Sequence, residues 1–298
     1  MFRQPSITQA LAVLAIALAL SVPAQAAASR TFVATTGSDA NVGANCSATA
    51  NCRTFGAALS VTTSGGEVVV VTSGGYGPAA INQPVLISAI GIDASISVVT
   101  SGANGLTINT PGNVTLVGLN LHGEAAGANG IEITQVGFLR LYNTLIENFT
   151  ANGVDFQTMG KLAVYNSSIN DNGGAGVYLN NASASAYVHD SSFDHNNTGV
   201  GVNVGNATVA DSSAQYNGTG FGAASGTLTL FNDRAMFNST AMATQTGGAM
   251  IFADSLISNN GNAYQITGGT ISGTNPGTSL IAPGQSSTGS LSTAITLQ

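Results

Sequence analysis

Charge is what this 298-residue sequence has least of. It holds 6 Lys+Arg and 13 Asp+Glu, 6% of the chain, where a soluble domain usually carries ~25%. Lys161 is the single lysine, and tryptophan is absent. A helix bundle or coiled coil needs Glu, Lys and Arg to solvate its outer faces, so both are excluded. A protein that tracks phosphates needs a basic stripe, and a net charge of −7 supplies none, so no nucleic-acid partner is expected. Disorder is excluded from the other side: 44% of residues are hydrophobic and mean hydropathy is +0.27, enough apolar surface to build a core. What is plentiful is glycine, 38 residues, together with Asn, Ser and Thr. This is the composition of a turn-rich, weakly acidic β protein.

Long hydrophobic runs are missing too, apart from one at the start. Residues 10–22 are apolar, too short a stretch for a spanning helix, with Arg3 before them and the small residues of Pro23-Ala24-Gln25-Ala26-Ala27-Ala28 after them. That is the layout of a secretory leader over residues 1–28. The mature chain is then expected to be secreted, periplasmic or held at the cell surface, without a membrane span. Cysteine is scarce as well. The only two, Cys46 and Cys52, lie six residues apart in a chain expected to meet an oxidising compartment, and a disulfide is predicted between them.

What is present is a repeat. Gly105-Leu106-Thr107-Ile108, Gly130-Ile131-Glu132-Ile133, Gly153-Val154-Asp155-Phe156, Gly176-Val177-Tyr178-Leu179, Gly199-Val200-Gly201-Val202 and Gly220-Phe221-Gly222-Ala223 align, and the series continues at Ala241 and Ala263. Successive steps are 25, 23, 23, 23, 21, 21 and 22 residues. Each unit holds a second short alternating segment, such as Leu139-Arg140-Leu141 or Leu162-Ala163-Val164. Alternation of period two is strand periodicity, and Asn, Asp, Gly and Ser fill the gaps as turn formers.

Three columns fix the register. Leu141, Val164, Val188, Val209, Leu230 and Phe252 should form one inward apolar column. Asn148, Asn172, Asn196, Asn217, Asn238 and Asn260 form an all-amide column. With rungs ~4.8 Å apart, stacked amides can hydrogen-bond along it, so a buried ladder at a turn is expected. Asn143, Asn166, Asp190, Asp211, Asn232 and Asp254 form a mixed column. A dry stack would set Asp190 against Asp211, so this column is expected at a partly solvated turn, capping local N–H groups.

Coil length, short strands and the Asn ladder together resemble the right-handed parallel β-helix proteins of the pectin-lyase-like superfamily. The resemblance spans roughly residues 65–270 and implies an all-β solenoid of about nine coils. The N-terminal part is similar to small exported bacterial β-helix proteins in Thr31-Phe32-Val33, Gly37-Ser38-Asp39-Ala40-Asn41, Cys52-Arg53-Thr54-Phe55 with Ala58-Leu59, and Gly74-Gly75-Tyr76-Gly77-Pro78. A solenoid end needs a plug. Residues 29–64 are expected to form a cap, with the disulfide and a short amphipathic helix from Thr54 to Val61, and the first core strand is expected at Glu67–Val71. Residues 271–298 read as a Gly/Ser/Thr-rich tail, ending in one alternating piece, Ala294–Leu297.

Alternation points Glu132 and Asp155 outward on adjacent rungs, in a column that reads Thr107, Glu132, Asp155, Tyr178, Gly201. Two carboxylates at that spacing can share a proton or bind Ca²⁺; no organic cofactor is expected. The resemblance implies the same: acidic-polysaccharide lyases and hydrolases of this superfamily use such chemistry. Glu132, Asp155 and Tyr178 are therefore the candidate catalytic residues, with Tyr178 placed to stack on a sugar. His189, Asp194 and His195 are a second candidate metal set. The superfamily's stronger motifs, Asn-Thr-Asp with Gly-His-Gly and Asp-Pro-His-Asp, are absent from the sequence. Arg140 and Lys161, the basic residues of the central coils, fall on a different sheet segment. The balance favours a monomeric, non-catalytic module that binds polysaccharide or serves as structure at the cell surface or in the matrix; the alternative is a Ca²⁺-dependent, pectate-lyase-like enzyme acting on an acidic glycan.

Overall fold

In the computed structural model, which describes residues 27–273, 280–282 and 284–292, nearly every regular element is a short strand, paired in parallel with its counterparts one coil away. One coil shows the plan. Ile131–Gln135 lies in a first stack of strands, Phe138–Tyr142 in a second, Leu145–Glu147 in a third, and Val154–Phe156 opens the next coil in the first stack. We call these stacks sheets 1, 2 and 3. The result is an all-β parallel solenoid of about nine turns. Ala175–His189 and Thr198–Ala210 run unbroken from sheet 1 into sheet 2.

The expected inward column forms as the alternation dictates. Leu141, Val164, Val188, Val209, Leu230 and Phe252 pair in sequence through sheet 2 and are all buried. Each side chain packs on those above and below it, so the core is a continuous apolar rod rather than a ball.

The amide ladder sits at the corner between sheets 3 and 1. Asn172, Asn196, Asn217, Asn238 and Asn260 are buried there. Each Oδ1 from Asn196 to Asn260 accepts the backbone N–H of the previous Asn, at 2.8–3.1 Å. Gln285 extends the ladder by one rung, accepting from Asn260 N at 3.0 Å. Asn148 does not belong to it. Phe149 fills the buried slot and donates its N–H to Asn172 Oδ1 at 3.2 Å, while Asn148 is exposed one position earlier. The reason is backbone conformation. Asn148 has φ +60 and aligns with Asp171, His195, Tyr216, Phe237 and Asn259, all left-handed, and Asn is the residue that tolerates this region best after Gly.

The mixed column is left-handed throughout, with φ between +46 and +55 at Asn143, Asn166, Asp190, Asp211, Asn232 and Asp254. Its Asn and Asp residues are there to turn the backbone from sheet 2 into sheet 3, rather than to cap N–H groups. The capping falls to the next residue. Thr144, Ser167, Ser191, Ser212, Asp233 and Ser255 are buried, and from Ser167 onward each side-chain oxygen accepts the N–H of its predecessor in the column at 2.8–3.2 Å. The hydroxyls in turn donate to the carbonyl two residues earlier.

At the N-terminal end the helix Phe55–Val61 is capped by Thr54 Oγ1 and buries Phe55, Ala58 and Leu59. Asp39 accepts from Arg53 N, Thr54 N and Thr54 Oγ1, which ties the preceding loop to the helix start. Cys46 and Cys52 are disulfide-bonded and buried, with Cα atoms 4.9 Å apart. Reduction should cost about 2 kcal/mol, because so short a loop restricts the unfolded chain little. Denaturant midpoints with and without reductant check this; a loss above roughly 4 kcal/mol would mean that the bridge holds the whole cap.

Two boundaries differ from expectation. Ala28–Val33 pairs with Thr62–Val70, so residues 29–64 contribute a strand to sheet 2, and the first core strand begins at Thr62. At the other end Thr270–Gly273, Leu280–Ile281 and Ser286–Thr288 continue sheets 2, 3 and 1, so the described part of residues 271–298 is a further coil. Its polar, exposed Ser286–Thr288 strand hides the alternation. The expected leader, up to residue 26, and the piece 294–297 lie outside the described residues. Among the described residues no helix is long and apolar enough to cross a membrane.

Candidate functional site

Sheet 1 presents its outward residues in one straight column. Thr107, Glu132, Asp155, Tyr178 and Gly201 pair rung by rung as the alternation predicts, and the column continues through Gly222, Ala243 and Gln265. Ile131 and Ile133, Val154 and Phe156 flank the two acids and point into the core. The column divides into an acidic part and a bare part.

In the acidic part both carboxylates are already engaged. Glu132 Oε2 accepts from Asn104 Nδ2 at 2.5 Å, and Asp155 Oδ1 accepts from Gln157 Nε2 at 2.7 Å. Asp155 is only 8% exposed. Burial raises its pKa above the ordinary carboxylate value, against the opposing pull of hydrogen bonds from Gln157 and Asn152. Amides line both sides. Asn104, Asn129 and Asn152 form a short ladder through backbone N–H groups at 3.0 Å, and Gln157, Asn180 and Asn203 form a side-chain chain at 2.7–2.8 Å. Among the described residues no three His, Cys, Asp or Glu groups converge on one position. Ca²⁺ takes roughly six to eight oxygens, and a pair of amide-bound carboxylates, one of them largely buried, does not fit it.

The bare part begins beside Tyr178. A cleft of about 270 Å³ has Gly201, Gly222 and Ala223 in its lining, with Thr198 and Thr219 on one side and Asn203 and Gln245 on the other. Neither glycine has positive φ. A β-carbon at Gly201 would meet Tyr178 Cδ2 and Thr198 Cγ2 at 3.5 Å, and one at Gly222 would meet Thr198 Cγ2 at 3.7 Å, ordinary contacts. Backbone and packing therefore tolerate a side chain at both positions, and its absence leaves an open floor along the tyrosine ring. Gly222 was legible in the repeat, since Phe221 points inward; the cleft itself was not.

The second candidate set does not assemble. His189 ends sheet 2, with Nε2 3.3 Å from Asp190 Oδ2 and Nδ1 3.2 Å from Asp211 Oδ2. Asp194 lies in sheet 3, accepts from Gln215 N, and has its pKa raised mainly by burial. His195 is left-handed at the next corner and stacks on Tyr216, centroids 5.0 Å apart. The turn at Asp190-Ser191 sends these groups to different corners. Arg140 stacks over the Phe138 ring at 3.7 Å and pairs near Lys161 within sheet 2, away from the acidic column.

The likeness to known proteins agrees with this architecture. The family described as "Right handed beta helix region" matches residues 91–235. The crystal structure of pectate lyase Pel9A superposes with a TM-score of 0.61 at 14% identity, over 86% of this chain and 80% of that one. The A-module of the Azotobacter vinelandii mannuronan C-5 epimerase AlgE6 aligns at a TM-score of 0.34 and 14% identity, over 78% and 91%. A search of curated protein sequences found no match. The chain has the right-handed parallel β-helix fold, which the pectate lyase shares.

Proposed function

We propose that the chain is an exported, non-catalytic β-helix that binds polysaccharide along the outer face of sheet 1. The observation that carries this is the cleft beside Tyr178, whose glycine floor neither backbone nor packing requires. An extended glycan laid along the axis sets the C–H face of a ring against the tyrosine, while Asn203, Gln245 and the threonines exchange hydrogen bonds with its hydroxyls. Glu132 and Asp155 accept further hydroxyl donors and repel a polyanion. The disulfide supports export, since such bridges persist in oxidising compartments. The lyase alternative draws on one feature, the adjacency of Glu132 and Asp155 with the raised pKa of Asp155.

Affinity electrophoresis on a panel of neutral and uronic polysaccharides tests both readings. At least one neutral polymer should retard the protein. Tyr178→Ala and Gly222→Val should each weaken retardation about tenfold or more, and Ca²⁺ should change neither retardation nor melting temperature. No unsaturated product should absorb in the ultraviolet. Product formed by the unmodified protein and lost in Glu132→Gln/Asp155→Asn would establish the lyase instead.

A further inference from the structure

A second groove, of about 760 Å³, lies elsewhere, along the elbow between sheets 2 and 3. It runs parallel to the solenoid axis. Its floor is set by the first residue of successive sheet 3 strands, which reads Leu145, Ser168, Ser192, Ser213, Arg234. Three hydroxyl rungs are thus closed off by a larger side chain at each end, and Ser168 Oγ and Ser192 Oγ are hydrogen-bonded at 2.9 Å. Rungs are ~4.8 Å apart, comparable with the rise per residue of an extended glycan chain.

One wall is the left-handed Asn/Asp column. Asn166 bonds Asn143, and Asn232 bonds Asp211, each at 2.6 Å. Asp190, between these two pairs, is left out. Its side chain is 62% exposed, and its carboxylate has a single partner among the described residues, His189 Nε2 at 3.3 Å. Behind it, His189 Nδ1 is shut off from solvent and faces Asp211 Oδ2 at 3.2 Å without the alignment of a hydrogen bond. Tyr142 and Tyr165 precede the first two wall residues and stack on each other with centroids 5.0 Å apart, outside the groove's lining.

We propose that this elbow is a second glycan-binding site, separate from the face of sheet 1, and that it takes an amino-sugar chain of about three residues. The wall offers two carboxylates, with the one arginine at an end, so it favours a donor-rich or cationic ring and disfavours a uronate. The ammonium group sits against Asp190 at the middle of the groove, and ring hydroxyls exchange hydrogen bonds with the serine floor. This site does not depend on the Tyr178 cleft.

Calorimetric titration of the full protein with three trisaccharides tests it: a glucosamine trimer, its N-acetylated form and a galacturonate trimer. The glucosamine trimer should bind, and the galacturonate trimer should not. Asp190→Asn should weaken glucosamine binding at least tenfold. That variant should fold, because Asn already occupies the same left-handed position at Asn166 and Asn232. Ser192→Phe should abolish binding by filling the floor, and Tyr178→Ala should leave it unchanged. Failure of the glucosamine trimer to bind, binding unchanged in Asp190→Asn, or equal affinity for all three trimers would overturn the proposal. Loss of binding in Tyr178→Ala alone would move the site to sheet 1.

Discussion

Asn217→Ala is expected to destabilise the protein by about 3–6 kcal/mol, against about 1 kcal/mol for Asn148→Ala. Asn217 makes three buried bonds. Oδ1 accepts from Asn196 N at 2.8 Å, and Nδ2 donates to Phe193 O at 2.8 Å and Asn238 Oδ1 at 3.0 Å. Truncation takes these partners from the Asn196 N–H and the Phe193 carbonyl where water does not reach, each costing about 1–3 kcal/mol, and removes one of the two donors to Asn238 Oδ1, which keeps the Asn217 N–H at 2.9 Å. In a solenoid each coil is held only by its neighbours, so the break falls in the middle of the stack and splits it. Asn148 is exposed, and its replacement costs only the placement of alanine in left-handed backbone. Denaturant midpoints of the two variants give the comparison. Equal losses would put Asn148 back in the ladder and overturn the register described here.

Period-two alternation and residue spacing carry the repeat in the sequence. The sheet 1 column and the sheet 2 core were fully legible, because period-two alternation is a strong signal and survives substitution among Val, Leu, Ile and Phe. The ladder was legible for five rungs and off by one residue at Asn148. Asn serves two purposes in this chain, a buried amide at one position and left-handed backbone at the position before it, and spacing alone cannot separate them when units vary from 21 to 25 residues. Gln285 was missed for the opposite reason: an amide one methylene longer, in a stretch without clear alternation, performs the role of Asn. The serine ladder beside Asn143 and Asp190 gave no signal, since serine is common throughout the chain. The grooves were invisible as well. Each depends on small residues on successive rungs, and a missing side chain carries no pattern until the strands are in register.

Asp233→Ser is expected to stabilise the protein by about 3 kcal/mol at pH 8 and to give no gain at pH 4. Asp233 occupies a slot held by Thr144, Ser167, Ser191, Ser212 and Ser255 on the other rungs, and it is 1% exposed. Oδ1 takes the N–H of Ser212 at 2.8 Å and Oδ2 that of Phe231 at 2.9 Å. These bonds favour the carboxylate, but burial outweighs them, with Asp211 adding repulsion, and the pKa is pushed up to about 7 from an ordinary 3.8. The sign follows from proton binding. The folded state holds this proton more tightly than the unfolded state, so stability is greatest below pH 4 and falls as pH rises from there to 7. A difference of about three units corresponds to about 4 kcal/mol in full. Serine removes that cost. Its oxygen accepts from Ser212 N, as Ser212 Oγ accepts from Ser191 N at 3.1 Å, and its hydroxyl donates to Phe231 O, as Ser212 Oγ donates to Ala210 O at 2.8 Å. It gives up the bond from Phe231 N–H, worth about 1 kcal/mol, which brings the net gain to about 3. Thermal melts of both proteins between pH 4 and pH 8 should therefore diverge as pH rises, with the variant above. Parallel curves, or a variant that melts lower at pH 8, would mean that Asp233 is held as a stable carboxylate and that the serine column gains by the exception.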